Sequence, residues 1–147
     1  MSIFILNSGV LRGFIKEGKK EITTWITSDN EIVTSITSLD LAIPALENIQ
    51  AIENYEVLVL PSKAMNELYD KFPEFNFTGR KILQQYYKDA EMRAYIIRLS
   101  NAENKYKFFL DNYSHLANRV QLQYVASFLG ISIETLSRVR KKLSTRY

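Results

Sequence analysis

The feature that most constrains this chain is the segment 120–143, which spells a helix, a tight turn and a second helix. Val125, Ala126 and Leu129 give the first helix an apolar face, and Ala126 is small enough for another helix to cross close by. Gly130 follows, a residue that ends a helix in the left-handed conformation without a Cβ penalty. Ile131 packs in the turn, and Ser132 caps the next helix. Leu136, Val139 and Leu143 recur at spacings of three and four and therefore face inward. Glu134, Ser137, Arg138, Lys141 and Lys142 are left on the outer face. This is the pattern of a helix-turn-helix DNA reader. Arg pairs bidentately with guanine and Glu accepts from the cytosine amino group. Glu134, Ser137 and Arg138 are thus the expected base contacts. Arg119, Arg140, Lys141, Lys142 and Arg146 are the expected phosphate contacts. A generic helical hairpin could share the apolar spacing. It has no reason to combine Gly130, a Ser132 cap and an outer face with Arg138 between Ser137 and a Lys pair.

Charge points the same way. Residues 1–118 hold 13 basic and 15 acidic side chains, whereas 119–147 hold six basic ones against Glu134 alone. A basic end beside a slightly acidic body suits a polyanion. A solvated basic tail would show the same charge, so the pattern within the segment decides between them.

Composition removes other classes. There is no Cys and a single His115 among the 147 residues, so thiolate zinc sites, iron–sulfur clusters, disulfides, cysteine nucleophiles and multi-histidine metal sites are excluded. The five glycines stand too far apart for a phosphate-binding loop, and no Gly-x-Ser-x-Gly elbow occurs. An enzyme, a cofactor and a metal are therefore not expected. No apolar run approaches the roughly 18–20 residues that span a bilayer, and residues 4–6 are too short for a signal-peptide core. The expected setting is the cytoplasm.

Upstream, residues 3–61 read as β. Segments 3–6, 10–15, 21–26 and 57–60 are rich in Ile, Val, Phe, Thr and Trp, punctuated by Gly9, Gly13 and Gly18. Segments 10–15 and 21–26 form a hairpin, and 38–44 is a loop or a single helical turn. A helix follows Pro61, capped by Ser62, with Met65, Leu68, Tyr69 and Phe72 on one side, and Pro73 breaks it. The spacing predicts an unbroken helix over 74–99, roughly 39 Å long. Phe75, Gly79, Ile82, Tyr86, Ala90, Ala94 and Ile97 step along one stripe, with Leu83, Tyr87 and Ile96 on adjacent faces. Two apolar faces on so long a helix fit either a core helix packed on both sides by its own chain or a partner helix; with a partner helix, Phe75, Ile82, Tyr86, Ala90 and Ile97 are the expected dimer contacts. Ser100 with Glu103 resembles a capping box opening one more helix. His115 lies in a polar connector and reads as a solvated side chain or a local cap.

These residues resemble the Crp/Fnr superfamily of bacterial transcription regulators, in the short form found in Bacteroidetes-like bacteria. Glu134-Thr135-Leu136-Ser137-Arg138 is similar to that family's Glu-x-x-Ser-Arg recognition-helix signature, and 124–132 to the helix and turn before it. Ser8-Gly9-Val10-Leu11-Arg12 and 18–25 resemble consecutive strands of its cyclic-nucleotide-binding-like sensor roll. Residues 51–53 and 56–60 resemble the last strands, and 71–75 the step into the dimer helix. The resemblance implies an α+β fold: a shortened antiparallel β-roll with its following helix over 1–73, a dimerisation helix over 74–99 and a helix-turn-helix domain over 100–147. It also implies a homodimer on a pseudo-palindromic double-stranded operator, no membrane, and RNA polymerase as a further partner.

Three departures qualify it. The family has several tens of residues before the segment resembling 8–12, so this roll is either shortened or preceded by residues outside this sequence. The Gly-Glu pair and downstream Arg that hold a cyclic phosphate are missing, with Thr34-Ser35 in their place and no Arg from 13 to 79. The β-wing that often follows the recognition helix in that family is not expected within these 147 residues. The expected regulator therefore does not answer to cyclic nucleotides. The alternative is a dimeric ligand-sensing or structural module that binds no DNA.

Overall fold

The computed structural model describes residues 2–41 and 43–144. Six strands make two three-stranded antiparallel sheets. One has the order β4-β1-β6, from β1 (Ser2–Ser8), β4 (Glu31–Val33) and β6 (Glu56–Pro61). The other has the order β3-β2-β5, from β2 (Leu11–Glu17), β3 (Lys20–Thr27) and β5 (Asn48–Ala51). The hairpin expected from 10–15 and 21–26 is the β2–β3 pair, turning at Gly18 with φ +60°. Leu6, Leu11 and Val33 form the small core between the sheets, with Phe4, Trp25 and Val57 packed against it. Gly13 is required here because the Trp25 ring lies where its Cβ would stand.

Strands β4 and β5 are additions to the segments that read as β. β4 is three residues long, and every residue of β5 is exposed, so neither shows a period-two apolar signal. Residues 38–44 hold most of a short helix, α1 (Ile36–Leu41).

Helix α2 (Ser62–Lys71) begins at Ser62 without a side-chain cap, its N-cap being Pro61. Helix α2 stops at Lys71, before Pro73, and Pro73 is the first residue of α3 (Pro73–Arg98), where its missing N–H costs no hydrogen bond. The cap of α4 (Ala102–Tyr113) is Asn101, not Ser100, since Asn101 Oδ1 accepts from the amides of Glu103 and Asn104 at 2.8 and 3.3 Å. A 3-10 turn (Ser114–Leu116) carries an exposed His115. Helices α5 (Leu122–Leu129) and α6 (Ile133–Ser144) complete the chain. Among the described residues, no helix is long and apolar enough to cross a membrane.

The larger core lies at this end. Phe109, Leu116, Leu129 and Leu136 are buried to 1% exposure or less, with Tyr106, Val120, Val125, Ala126 and Phe128 around them. Ile26 from β3, Val10 from the turn between β1 and β2, and Ile96 from α3 belong to the same cluster. The helical module is therefore packed onto the rest of the chain through a shared apolar contact. Burial of this kind is the dominant favourable contribution to folding.

Candidate nucleic-acid interface

The tight turn has the geometry its residues dictate. Gly130 sits at φ +64° and ψ +38°, and its N–H and that of Ile131 return to the last carbonyls of α5. Lys105, itself buried, donates from Nζ to the Leu129 carbonyl at 2.9 Å and so satisfies another orphan acceptor with a cation at a helix C-terminus. Ser132 caps α6, its Oγ accepting from the Thr135 amide at 3.2 Å. Leu136 is fully buried and Val139 and Leu143 pack partly against the core. The inward and outward faces of α6 are thus those read from the spacing.

Glu134, Ser137, Arg138, Arg140, Lys141 and Lys142 are all exposed on the solvent side of α6, opposite Leu136, Val139 and Leu143. Arg138 Nη2 donates to Thr135 Oγ1 at 3.2 Å, and Thr135 Oγ1 also meets Ser132 Oγ at 3.1 Å. The Glu134 carboxyl is held below the usual carboxylate range by its own backbone amide, then by the Ser132 hydroxyl and the Arg138 charge. It is therefore an acceptor at neutral pH. Side chains of opposite hydrogen-bonding character share one exposed helical turn, which is what reading base edges needs.

The expected phosphate contacts divide. Arg140 and Lys141 stand on the exposed face of α6. Lys142 reaches back to α4, donating to Glu103 Oε2 at 2.6 Å, while Lys107 pairs with the other oxygen of Glu103 at 2.9 Å. These two lysines hold the Glu103 carboxyl down at about 2. Arg146 lies outside the described residues. Arg119 departs most from expectation. Its guanidinium points at the sheets, pairing with Asp29 Oδ2 at 2.6 Å and with the Glu53 carboxylate. Asp29 also accepts from the Gly9 amide at 2.7 Å. Arg119 and then Gly9 hold the Asp29 carboxyl down at about 2. A depressed carboxylate pKa keeps this pair's contribution complete above the ordinary 3.8 and loses it only as pH falls through about 2. Arg119 is thus engaged by carboxylates rather than presented to a phosphate.

Arg12 is a buried cation that spacing alone does not single out. It is 1% exposed, donates to Gln50 Oε1 at 2.7 Å and Thr23 Oγ1 at 3.1 Å, and pairs with Glu21. Its guanidinium lies 4.4 Å from the Phe14 ring centre and 3.9 Å from that of Tyr124 in α5. Alternation in β2 gives no hint of this, because most of the partners come from other segments.

The expected dimer stripe on α3 also divides. Tyr86 faces its own chain: it donates its hydroxyl to the Ile32 carbonyl, and burial pushes its pKa up to about 12. Phase along the helix puts Phe75 and Ile82 on that side too. Both are partly buried, and Phe75 lies edge-on to Tyr69 at 5.2 Å. Ala90 and Ile97 remain exposed, and they line up with Leu83, Tyr87 and Ala94 at spacings of four, three, four and three. The open stripe is therefore offset from the one read off the sequence.

No protein-family model matches the chain, and no characterised protein matches its sequence. Solved structures do match its fold. FixK2 from Bradyrhizobium japonicum superposes with a TM-score of 0.78 at 13% identity, over 99% of this chain and 75% of that one. A CooA variant from Carboxydothermus hydrogenoformans gives 0.77 at 18% identity, over 99% and 68%. A protein assigned to the Crp/Fnr family of transcriptional regulators, from Eubacterium rectale, gives 0.71 at 15% identity, over 98% and 69%. The α+β architecture, with two small antiparallel sheets, a long helix and a helical C-terminal module, is the Crp/Fnr-like fold.

Proposed function

We propose that a chain with this Crp/Fnr-like fold is a sequence-specific DNA-binding transcription regulator, cytoplasmic and homodimeric, acting on pseudo-palindromic double-stranded DNA. One observation carries the reading: Glu134, Ser137 and Arg138 project from the first turns of α6 while Leu136 locks the opposite side into the core. In this reading residues 1–73 are the sensor, 74–99 the dimerisation helix and 100–147 the reader. Glu134, Ser137 and Arg138 read bases, and Arg140 and Lys141 contact phosphates. Leu83, Tyr87, Ala90 and Ile97 meet their two-fold mates. That pairing sets the two readers about one turn of DNA apart, roughly 34–36 Å.

The test is selection of bound sequences from a random DNA pool, followed by titration of the recovered site at several salt concentrations. Affinity should fall steeply with salt as counterions are released. Arg138→Ala should cost about 1–3 kcal/mol at one base position and relax specificity there. A uniform loss on all sequences would remove Arg138 from the base contacts.

The sensor in this reading does not respond to cyclic nucleotides. A cavity of about 510 Å³ lies between β3, β4, α3 and α4, with Glu31, Glu47 and Asp89 on its wall beside a single guanidinium, that of Arg93. Burial, and then the Asp89 charge, pushes the Glu31 carboxyl above its usual range. A cyclic phosphate entering here would bring a further negative charge to a partly dry, acidic wall, which is costly. Calorimetry with cyclic AMP and cyclic GMP should show no saturable heat; a micromolar dissociation constant for either would overturn this part.

A further inference from the structure

Helix α5 and the residues before it are held to the strands and their turns at three points. Before its start, Arg119 grips Asp29 and Glu53. In its first turn, Tyr124 covers the buried Arg12 guanidinium. Further on, Ser127 Oγ accepts from the Thr23 amide at 2.9 Å and lies 3.3 Å from the Glu21 carbonyl, to which it donates. β3 is an edge strand of its sheet, so α5 supplies partners that the edge would otherwise lack. Val10 and Ile26 sit in one apolar cluster with Val125 and Leu129 between these polar contacts. Throughout, the reading residues of α6 stay exposed.

We propose that Arg119, Asp29, Glu53 and Ser127 form a clasp that fixes the reading module on the sensor sheet with α6 outward, making them positioning residues for DNA reading. This rests on the reading of the chain as a DNA binder. Orientation is the quantity at stake. Two readers on one two-fold must present α6 at a set angle and separation, and a module free to swing would lose affinity in being ordered at the moment of binding. Contacts internal to the chain hold the orientation. Arg119 then acts through protein carboxylates and contributes nothing to counterion release.

A double-mutant cycle on the full chain separates the two roles of Arg119. Operator affinity is read by fluorescence anisotropy, against salt, for Arg119→Met, for Asp29→Asn with Glu53→Gln, and for all three changes together. All these side chains are partly exposed, and Asp29→Asn keeps a side-chain oxygen for the Gly9 amide; circular dichroism reports on folding. The clasp predicts that the carboxylate variant loses about tenfold in affinity, that Arg119→Met loses as much, and that the triple variant is no worse. The salt slope should not change. A direct phosphate contact predicts a slope shallower by about one for Arg119→Met and unchanged or tighter binding for the carboxylate variant; that outcome overturns the proposal. A second readout needs no DNA. Hydrogen exchange at the Thr23 amide should quicken in the carboxylate variant and more so in Ser127→Ala. Unchanged exchange in both would overturn the clasp whatever the chain binds. A wild type with a protected Thr23 amide and no affinity for any DNA would sink the functional reading and the positioning role with it, leaving the contact itself intact.

Discussion

Phe109→Ala should destabilise the chain by about 3–5 kcal/mol and, with it, abolish the proposed DNA binding at moderate temperature. Phe109 is fully buried at the centre of an aromatic cluster. Its ring stacks against Tyr106 and Tyr113, with centroids 6.2 and 5.6 Å away, and meets Phe128 edge-on at 6.1 Å. Removing it leaves a cavity bordered by α4 and α5 together. Helix α5 has only eight residues and cannot persist without packing. The whole reserve of a domain is about 5–15 kcal/mol, so this change consumes much of it. Urea unfolding is the check: the midpoint should fall sharply with the slope retained. A loss below about 1 kcal/mol would mean that the aromatic cluster rearranges to fill the gap, contrary to the close packing of a protein interior.

Leu83→Asp combined with Ile97→Asp should give a monomer in sedimentation and weaken operator binding by about 10²–10⁴-fold, the usual range for losing a second linked site. Leu83, Tyr87 and Ile97 are 57%, 72% and 59% exposed, and with Ala90 and Ala94 they trace the four-three spacing of a two-helix seam. In the proposed dimer, carboxylates placed opposite each other across the two-fold add repulsion to the lost contact. Tyr86→Phe is the informative control. Its hydroxyl serves Ile32 within the same chain, so its removal should leave the sedimentation unchanged. A wild-type chain that remains monomeric at high micromolar concentration would refute the dimer.

Elements with local causes are legible from the residues alone. Gly130 and Ser132 specify a turn and a cap within a few residues, and the spacing of Leu136, Val139 and Leu143 specifies which side of α6 is buried. The uninterrupted run after Pro73 specifies a long helix, because helical hydrogen bonds close within four residues. Strands β4 and β5 carry no such signal, since an exposed or three-residue strand is defined by its neighbours rather than by its own alternation.

The use made of the charged and apolar faces depends instead on contacts between distant segments. The side of α3 bearing Tyr86 and the side bearing Leu83 look alike as residues. Which one is spent within the chain depends on where Ile32 and the sheets lie. Arg119 looks like any cation near a basic helix until Asp29 and Glu53, 90 and 66 positions away, arrive beside it. Arg12 becomes buried only because Phe14, Thr23, Gln50 and Tyr124 converge on it. A charge is placed by the partners that offset its desolvation, and those partners are distant in sequence. Periodicity can show which residues a helix presents, while the fold alone determines what they meet.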